Sequence, residues 1–431
     1  MSAGSKALRL FLGCLVLASL ALIVLDNNPY WGMYGTTRGI RGMHEATKEK
    51  PKTAAGLLHH TSTSLTEQTS NLRDNHDKTL VRDPFPPLSS LIDYKVVNPK
   101  AIKSNVEFLM DFAIVGHPKC ATTFTMEWLA QHEQVQMYTH ELHALQTGNP
   151  AEFVQLMYEL PHDHVTETIP RDGSVSSKQT TTVQYKRGYK APRDIANSLA
   201  LDTFADYWPN ANLIIGLRHP VLWFESFYNF RLRHNYTLPP ANATELFIGQ
   251  CTKVHGVCTN EALFHHHLSL LGKTPMATPD ELNLLTMPKD PFHPTQTPRP
   301  YKRPKHSVIP NKIFLYEISQ LYSTNTTRAD LYRQDLANFV GLQSPLPSIA
   351  SMTKKSSSSS SSSKPRPAAL NICESQYTVL REILIANGQA ASKWIRTYFL
   401  PHPDVTVSSP DYFEELLQSW MYDPCDTRAG P

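Results

Sequence analysis

Lys119, Thr122 and Thr123 sit in the stretch Phe112-Ala-Ile-Val-Gly-His-Pro-Lys-Cys-Ala-Thr-Thr-Phe-Thr-Met-Glu-Trp128. An ammonium with two nearby hydroxyls suits the oxygens of phosphate or sulfate. The apolar run Phe112 to Val115 predicts a buried strand. Gly116-His117-Pro118 predicts a sharp turn, and the spacing of Phe124, Trp128 and Leu129 predicts a helix from about Thr122. Free N–H groups and the positive end of a helix dipole would then meet at one point, which favours an anion. A second set lies in Ala211-Asn-Leu-Ile-Ile-Gly-Leu-Arg-His-Pro-Val-Leu-Trp-Phe-Glu-Ser-Phe-Tyr228. Leu213 to Leu217 reads as a buried strand, and Pro220 as a helix start. Arg218 and Ser226 can therefore converge on one phosphate, the guanidinium gripping it with two parallel bonds. A third set, His140-Glu141-Leu142-His143, supplies a carboxylate and two imidazoles that could remove a proton. Lys190 belongs to a basic stretch, Tyr185-Lys-Arg-Gly-Tyr-Lys-Ala-Pro192.

A nucleoside-triphosphate loop ends in Gly-Lys-Ser/Thr. Here Ala121-Thr122 occupies the Gly-Lys place and the lysine comes earlier, at Lys119, so that pattern fits poorly. Pro118-Lys119-Cys120-Ala121-Thr122-Thr123 instead resembles the Pro-Lys-x-Gly-Thr-Thr loop of PAPS-dependent sulfotransferases, with Ala121 in place of Gly. In that family the loop cradles the 5′-phosphosulfate of PAPS, the sulfate donor. Arg218, Pro220, Ser226 and Tyr228 resemble the family's 3′-phosphate motif, with Trp223 where a further Arg is frequent. Glu141 matches the catalytic Glu of the Golgi heparan-type branch, and His140 stands where that branch has Lys. Cytosolic members use a His, so His140 and His143 remain rival bases. Tyr189-Lys190-Ala-Pro192 resembles the Lys-Ser-Pro segment that lies beside donor and acceptor.

The resemblance covers about residues 108–345. It implies that Lys119, Cys120, Ala121, Thr122, Thr123, Arg218 and Ser226 bind PAPS. It implies Glu141 and Lys119 as catalytic residues, Lys190 as a substrate contact, no metal, and a glycan hydroxyl or amine as acceptor. Two alternatives stand beside it: a P-loop nucleotide kinase, and a non-catalytic glycan-binding pseudo-sulfotransferase, which Ala121 and Trp223 keep open.

These residues need a framework. Strands alternating with helices, with anion sites at strand ends, predict a three-layer α/β fold, P-loop-like, around a mainly parallel sheet. The chain has 431 residues and a net charge of +3, with Lys and Arg scattered. No basic stripe points to nucleic acid. Lys6 and Arg9 precede an apolar run from Leu10 to Leu25. We expect a cytoplasmic tail at 1–6 and a signal-anchor helix at 7–25, with a cleaved signal peptide as the alternative. A polar stem at 26–105 and a sulfotransferase domain at 106–425 would follow. That domain includes an irregular insertion at 238–310, suited to an acceptor-binding lid, and a disordered Ser-rich loop at 351–368. His265-His-His267 lacks the ligand spacing of a zinc site. Anchor, stem and head are a common build of Golgi glycan-modifying enzymes. The sequons at Asn235, Asn242 and Asn325 fit a lumenal, single-pass type II membrane protein. So do two possible disulfides, Cys251 with Cys258 and Cys373 with Cys425. Later, Lys312–Ile318 predicts a strand, Arg328–Val340 a helix ended by Gly341, and Glu374–Tyr398 a long helix.

Overall fold

Strand β1 (Phe112–Gly116) is buried along its whole length, as an unbroken apolar run requires. The computed structural model describes residues 85–93, 102–161, 164–168, 179–183, 185–248, 255–274, 304–349 and 369–426. The further strands are β2 (Val135–Glu141), β3 (His164–Thr168), β4 (Gln179–Val183), β5 (Lys186–Lys190), β6 (Asn212–Leu217), β7 (Ile313–Glu317) and β8 (Val405–Thr406). Six of them form one sheet of order β2-β5-β1-β6-β7-β8. Every pairing in it is parallel, while β3 and β4 make a separate antiparallel pair.

Alternation along the central strands sends side chains to opposite faces, and both faces are covered. Phe112, Ile114, Ile214, Phe314 and Tyr316 pack with helices α1 (Thr122–Leu129) and α6 (Thr326–Val340), through Trp128, Tyr332 and Leu336. Ala113, Val115, Leu213, Ile215 and Leu315 face the other way. Their partners lie on α2 (Pro150–Tyr158), α3 (Ser198–Tyr207), α4 (Pro220–Arg233), α5 (Phe264–Ser269), α7 (Thr378–Trp394) and α8 (Pro410–Ser419). The fold is thus the expected α/β layering. Local signals set the helix ends: Asn325 accepts a hydrogen bond from Arg328 N, and Gly341 closes α6 at φ +82°.

Three expectations change. The packed body begins before residue 106, because Leu91 and Ile92 are buried with Val106 and Leu109. Part of the 238–310 stretch is core rather than lid: Phe247, Val257, Phe264 and Leu268 are buried, and α5 lies within it. The three histidines hide that helix from a hydropathy reading. Burial holds His266 down to about 4 and His265 and His267 well below the ordinary imidazole range, so all three enter the core uncharged. The last long helix is also shorter than Glu374–Tyr398, since a single 3₁₀ turn precedes Thr378 and a π turn follows Trp394.

Cys373 and Cys425 are bonded, and Cys258 is also in a disulfide. Among the described residues no helix is long and apolar enough to cross a membrane. The Leu10–Leu25 run, the stem as far as residue 84 and the Ser-rich segment lie outside the described residues.

Gly188 lets β5 approach β1, because a Cβ there would stand 2.3 Å from the ring of Phe112. That ring is fully buried and has nowhere to swing. Gly188→Ala is expected to destabilise the fold by about 1–3 kcal/mol. The check is a lower urea midpoint with an unchanged slope.

Candidate active site at the carboxyl edge of the sheet

The carboxyl ends of the parallel strands lie along one edge. In sheet order they present Glu141, Lys190, the 117–121 loop, Arg218 and Glu317. The chain leaves β1 towards the β2 and β5 side and leaves β6 towards β7, so the β1–β6 junction is the point where an open α/β sheet makes a crevice.

Within the loop, Lys119 (φ 66°) and Ala121 (φ 60°) are left-handed, and Cys120 between them is not. Such alternation turns N–H groups to one side in the manner of an anion nest, with the Cys120 N–H itself donated to His117 O at 3.2 Å. The start of α1 adds the N–H groups of its first turn, which have no intrahelical acceptors. Non-glycine residues in this conformation cost about 1–3 kcal/mol each and persist only where the surroundings hold them.

Here the surroundings take the loop's carbonyls one by one. Trp223 Nε1 donates to Pro118 O at 2.8 Å, Arg218 to Lys119 O at 3.3 Å, and Tyr316 Oη to Cys120 O at 2.7 Å. His117 donates its backbone N–H (3.1 Å) and Nδ1–H (3.0 Å) to Gly216 O. That bond fixes the tautomer, and burial lowers the imidazole pKa to about 4. Gly216 is needed for the close approach, since a Cβ would lie 2.6 Å from both Cys120 O and the Tyr316 hydroxyl.

Lys190 links the loop to the candidate base. Its ammonium is almost wholly buried and donates to Thr123 Oγ1 at 3.0 Å and to Glu141 Oε1 at 2.7 Å. The β2–β5 register sets Glu141 directly opposite Lys190. Glu141 keeps 45% of its side chain exposed, so the carboxylate is held and still open to a substrate. His140 is exposed at the end of β2, and His143 is half-buried in the turn beyond. Ser226 is half-buried on α4, and Thr122 is buried at the start of α1.

The charges are crowded in a way that invites an anion. Lys119 Nζ lies 4.2 Å from the centre of the Phe230 ring. Burial, with Arg233 and Arg218 adding repulsion, brings the Lys119 pKa down to about 8. It is still charged at neutral pH, and a bound phosphate or sulfate would relieve the repulsion. Burial raises the Glu317 carboxyl to about 7 even though the Arg218 charge and Ser319 N favour its ionised form. Burial pushes the Cys120 thiol far above its ordinary range, so it is no thiolate nucleophile.

The candidate residues thus fall into two joined groups. Thr123, Lys190 and Glu141 are linked through Lys190, and Arg218 reaches the backbone of Lys119. Trp223 anchors the loop through Pro118 O. Sequence reasoning passed over Trp223 and Tyr316 as anchors and Phe230 and Arg233 as neighbours of Lys119. A usable signal existed for Tyr316, because a tyrosine inside an apolar strand needs a partner for its hydroxyl.

No protein-family model matches the chain, and no curated protein matches it. Among solved structures, a sulfotransferase from Alicyclobacillus acidocaldarius is similar with a TM-score of 0.35 and 12% identity, over 67% of this chain and 96% of that one. A likeness of that size carries no argument about activity.

Ala121→Gly isolates the strain in the nest. Relief of the left-handed methyl is about 1–3 kcal/mol, offset by roughly 0.4–1 kcal/mol of extra freedom in the unfolded chain. The variant should therefore gain about 1 kcal/mol of stability, seen as a raised denaturation midpoint.

Proposed function

We propose that the chain is a sulfotransferase that moves the sulfuryl group of PAPS to a hydroxyl or amine, with a glycan as acceptor. One observation carries this reading above all: Lys190 holds both Thr123 of the anion loop and the Glu141 carboxylate. A carboxylate that can take a proton and a loop that can hold negative charge are thereby set side by side.

The donor's charges fit the residues present. The nest, the first turn of α1 and Lys119 suit the 5′-phosphosulfate, and Arg218 with Ser226 suits the 3′-phosphate. In the reaction the acceptor oxygen or nitrogen bonds to sulfur as the bond from sulfur to the bridging phosphate oxygen breaks. PAP and the sulfated acceptor leave, and Glu141 takes the acceptor proton. Lys119 and the loop N–H groups neutralise the charge that grows on the phosphate oxygen, which is preorganised electrostatic stabilisation of the kind that phosphoryl-transfer sites use. The kinase alternative is weaker, since the loop places its lysine inside the nest rather than after a Gly at the helix start.

A lumenal setting in the Golgi belongs to the same proposal. The Cys373–Cys425 disulfide supports an oxidising compartment, and the apolar run behind Lys6 and Arg9 supports a membrane anchor.

Two variants test the two ends of the site. Arg218→Ala should weaken PAP binding by about 1.5–3 kcal/mol, the value of a hydrogen bond to a charged group. ADP, which lacks the 3′-phosphate, should lose far less. Since Arg218 also holds Lys119 O, equal losses for both nucleotides would assign it to the loop alone. Titration calorimetry with each nucleotide separates these outcomes.

Glu141→Gln keeps shape and removes the proton acceptor. Its turnover, measured with labelled PAPS and a panel of acceptor glycans, should fall by about 10²–10⁴-fold while PAP affinity stays near the parent value. His140→Ala and His143→Ala should leave turnover within a few-fold of the parent. A dead histidine variant beside an active Glu141→Gln would transfer the base to that imidazole.

A further inference from the structure

We propose that Asp194 is a positioning residue for the Glu141 base. Its carboxyl group fastens the chain leaving β2 to the chain leaving β5, and so fixes the Glu141–Lys190 pair against the loop. The proposal rests on the sulfotransferase reading of Glu141.

Asp194 has no exposed surface, and a buried carboxyl group needs partners for both oxygens. Tyr189 Oη donates to Oδ2 at 2.5 Å, and Gln146 Nε2 donates to Oδ1 at 2.7 Å. Tyr189 immediately precedes Lys190 on β5, so the strand that aims one side chain at Glu141 aims its neighbour at Asp194. Gln146 belongs to the tight turn that follows Glu141, closed by Gln146 N to His143 O (3.0 Å) and Asn149 N to Ala144 O (2.9 Å). The Asp194 turn also reaches the root of the anion loop. Ile195 packs so closely on Gly116 that a Cβ there would lie 2.7 Å from its Cγ2. Ala191 N donates to Ile114 O at 3.0 Å. One carboxyl group therefore joins the exits of β2 and β5 at a turn already seated on β1.

The charge of this group is also coupled to the base. Burial raises the Asp194 carboxyl to about 7, with the Glu141 charge pushing the same way and the bonds from Tyr189 and Gln146 opposing. Tyr189 and four histidines nearby each hold one state, while burial also raises the carboxyl of Glu261. Burial keeps Tyr189 protonated, and β1 and α5, which pack on the same turn, bring His117 and His265 to His267, all buried and neutral. Arg193, next in the chain, acts on Arg231 and Glu261. Below about pH 7 Asp194 carries its proton, which an asparagine mimics. Above that pH it adds a negative charge beside Glu141.

The test uses the full chain and PAPS, with water standing in for the acceptor, and reads PAP release beside PAP affinity by calorimetry. Gln146→Leu and Asp194→Ala should slow PAP release by roughly 10- to 100-fold, the usual effect of a misplaced catalytic group. PAP affinity should stay within about threefold. Asp194→Asn should match the parent near pH 6 and depart from it near pH 8, following the proton on Asp194. Gln146 is only half-buried, so its variant serves even where Asp194→Ala does not fold. Unchanged release in the Gln146 and Asp194 variants overturns the proposal, as does an Asn variant whose deficit is equal at both pH values. Loss of PAP affinity in step with rate also overturns it, since that would mean damage to the loop. A parent that binds no PAP overturns the sulfotransferase reading itself, whereas normal PAP binding with indifferent variants overturns only the role of Asp194.

Discussion

The candidate site depends on holding a strained backbone in place. Two non-glycine residues, Lys119 and Ala121, stand in the left-handed region within one short loop. Neither conformation would survive in a free peptide, where each disfavours itself by about 1–3 kcal/mol. Three elements oppose that tendency from below: Arg218 at the end of β6, Trp223 on α4 and Tyr316 on β7 each donate to a different loop carbonyl. The Cys120 N–H is spent on His117 O, so the bonds that relieve the strain also aim the open N–H groups at the start of α1 along the edge of the sheet, a face that favours an anion.

The parallel sheet explains why these parts come together. Residues far apart in the chain, from Glu141 to Glu317, fall along one edge because every strand points the same way. Burial on both faces keeps the strands in register, and glycines at 188 and 216 allow the approaches that larger residues would block. The same burial sets the electrostatics. It lowers Lys119, raises Glu317 and Asp194, and keeps four histidines uncharged beneath the edge.

Much of this was legible in the chain. Apolar runs and the residues after them located β1, β6, the turn into α1 and the start of α4, because buried parallel strands leave an unbroken hydrophobic signal. Glu141 and Lys190 were named separately, and only the β2–β5 register brings them into contact. The 255–274 segment misled because its helix is built with three histidines, which count as polar in a sequence and pack as neutral rings when desolvated. Trp223 read as the loss of an arginine. Its indole N–H to Pro118 O is a tertiary bond, and nothing local to residue 223 announces it.

Lys190 shows how one buried charge can serve both halves of the candidate site. An ammonium taken out of water is tolerated only with close partners. Here the partners are one carboxylate and one hydroxyl, and the hydroxyl belongs to Thr123 in the first turn of α1. Moving the ammonium fully to Glu141 would leave Thr123 unbraced, and moving it fully to the loop would free the carboxylate. The 2.7 Å and 3.0 Å bonds keep it between the two. In the proposed reaction one ammonium thus touches both the base and the loop.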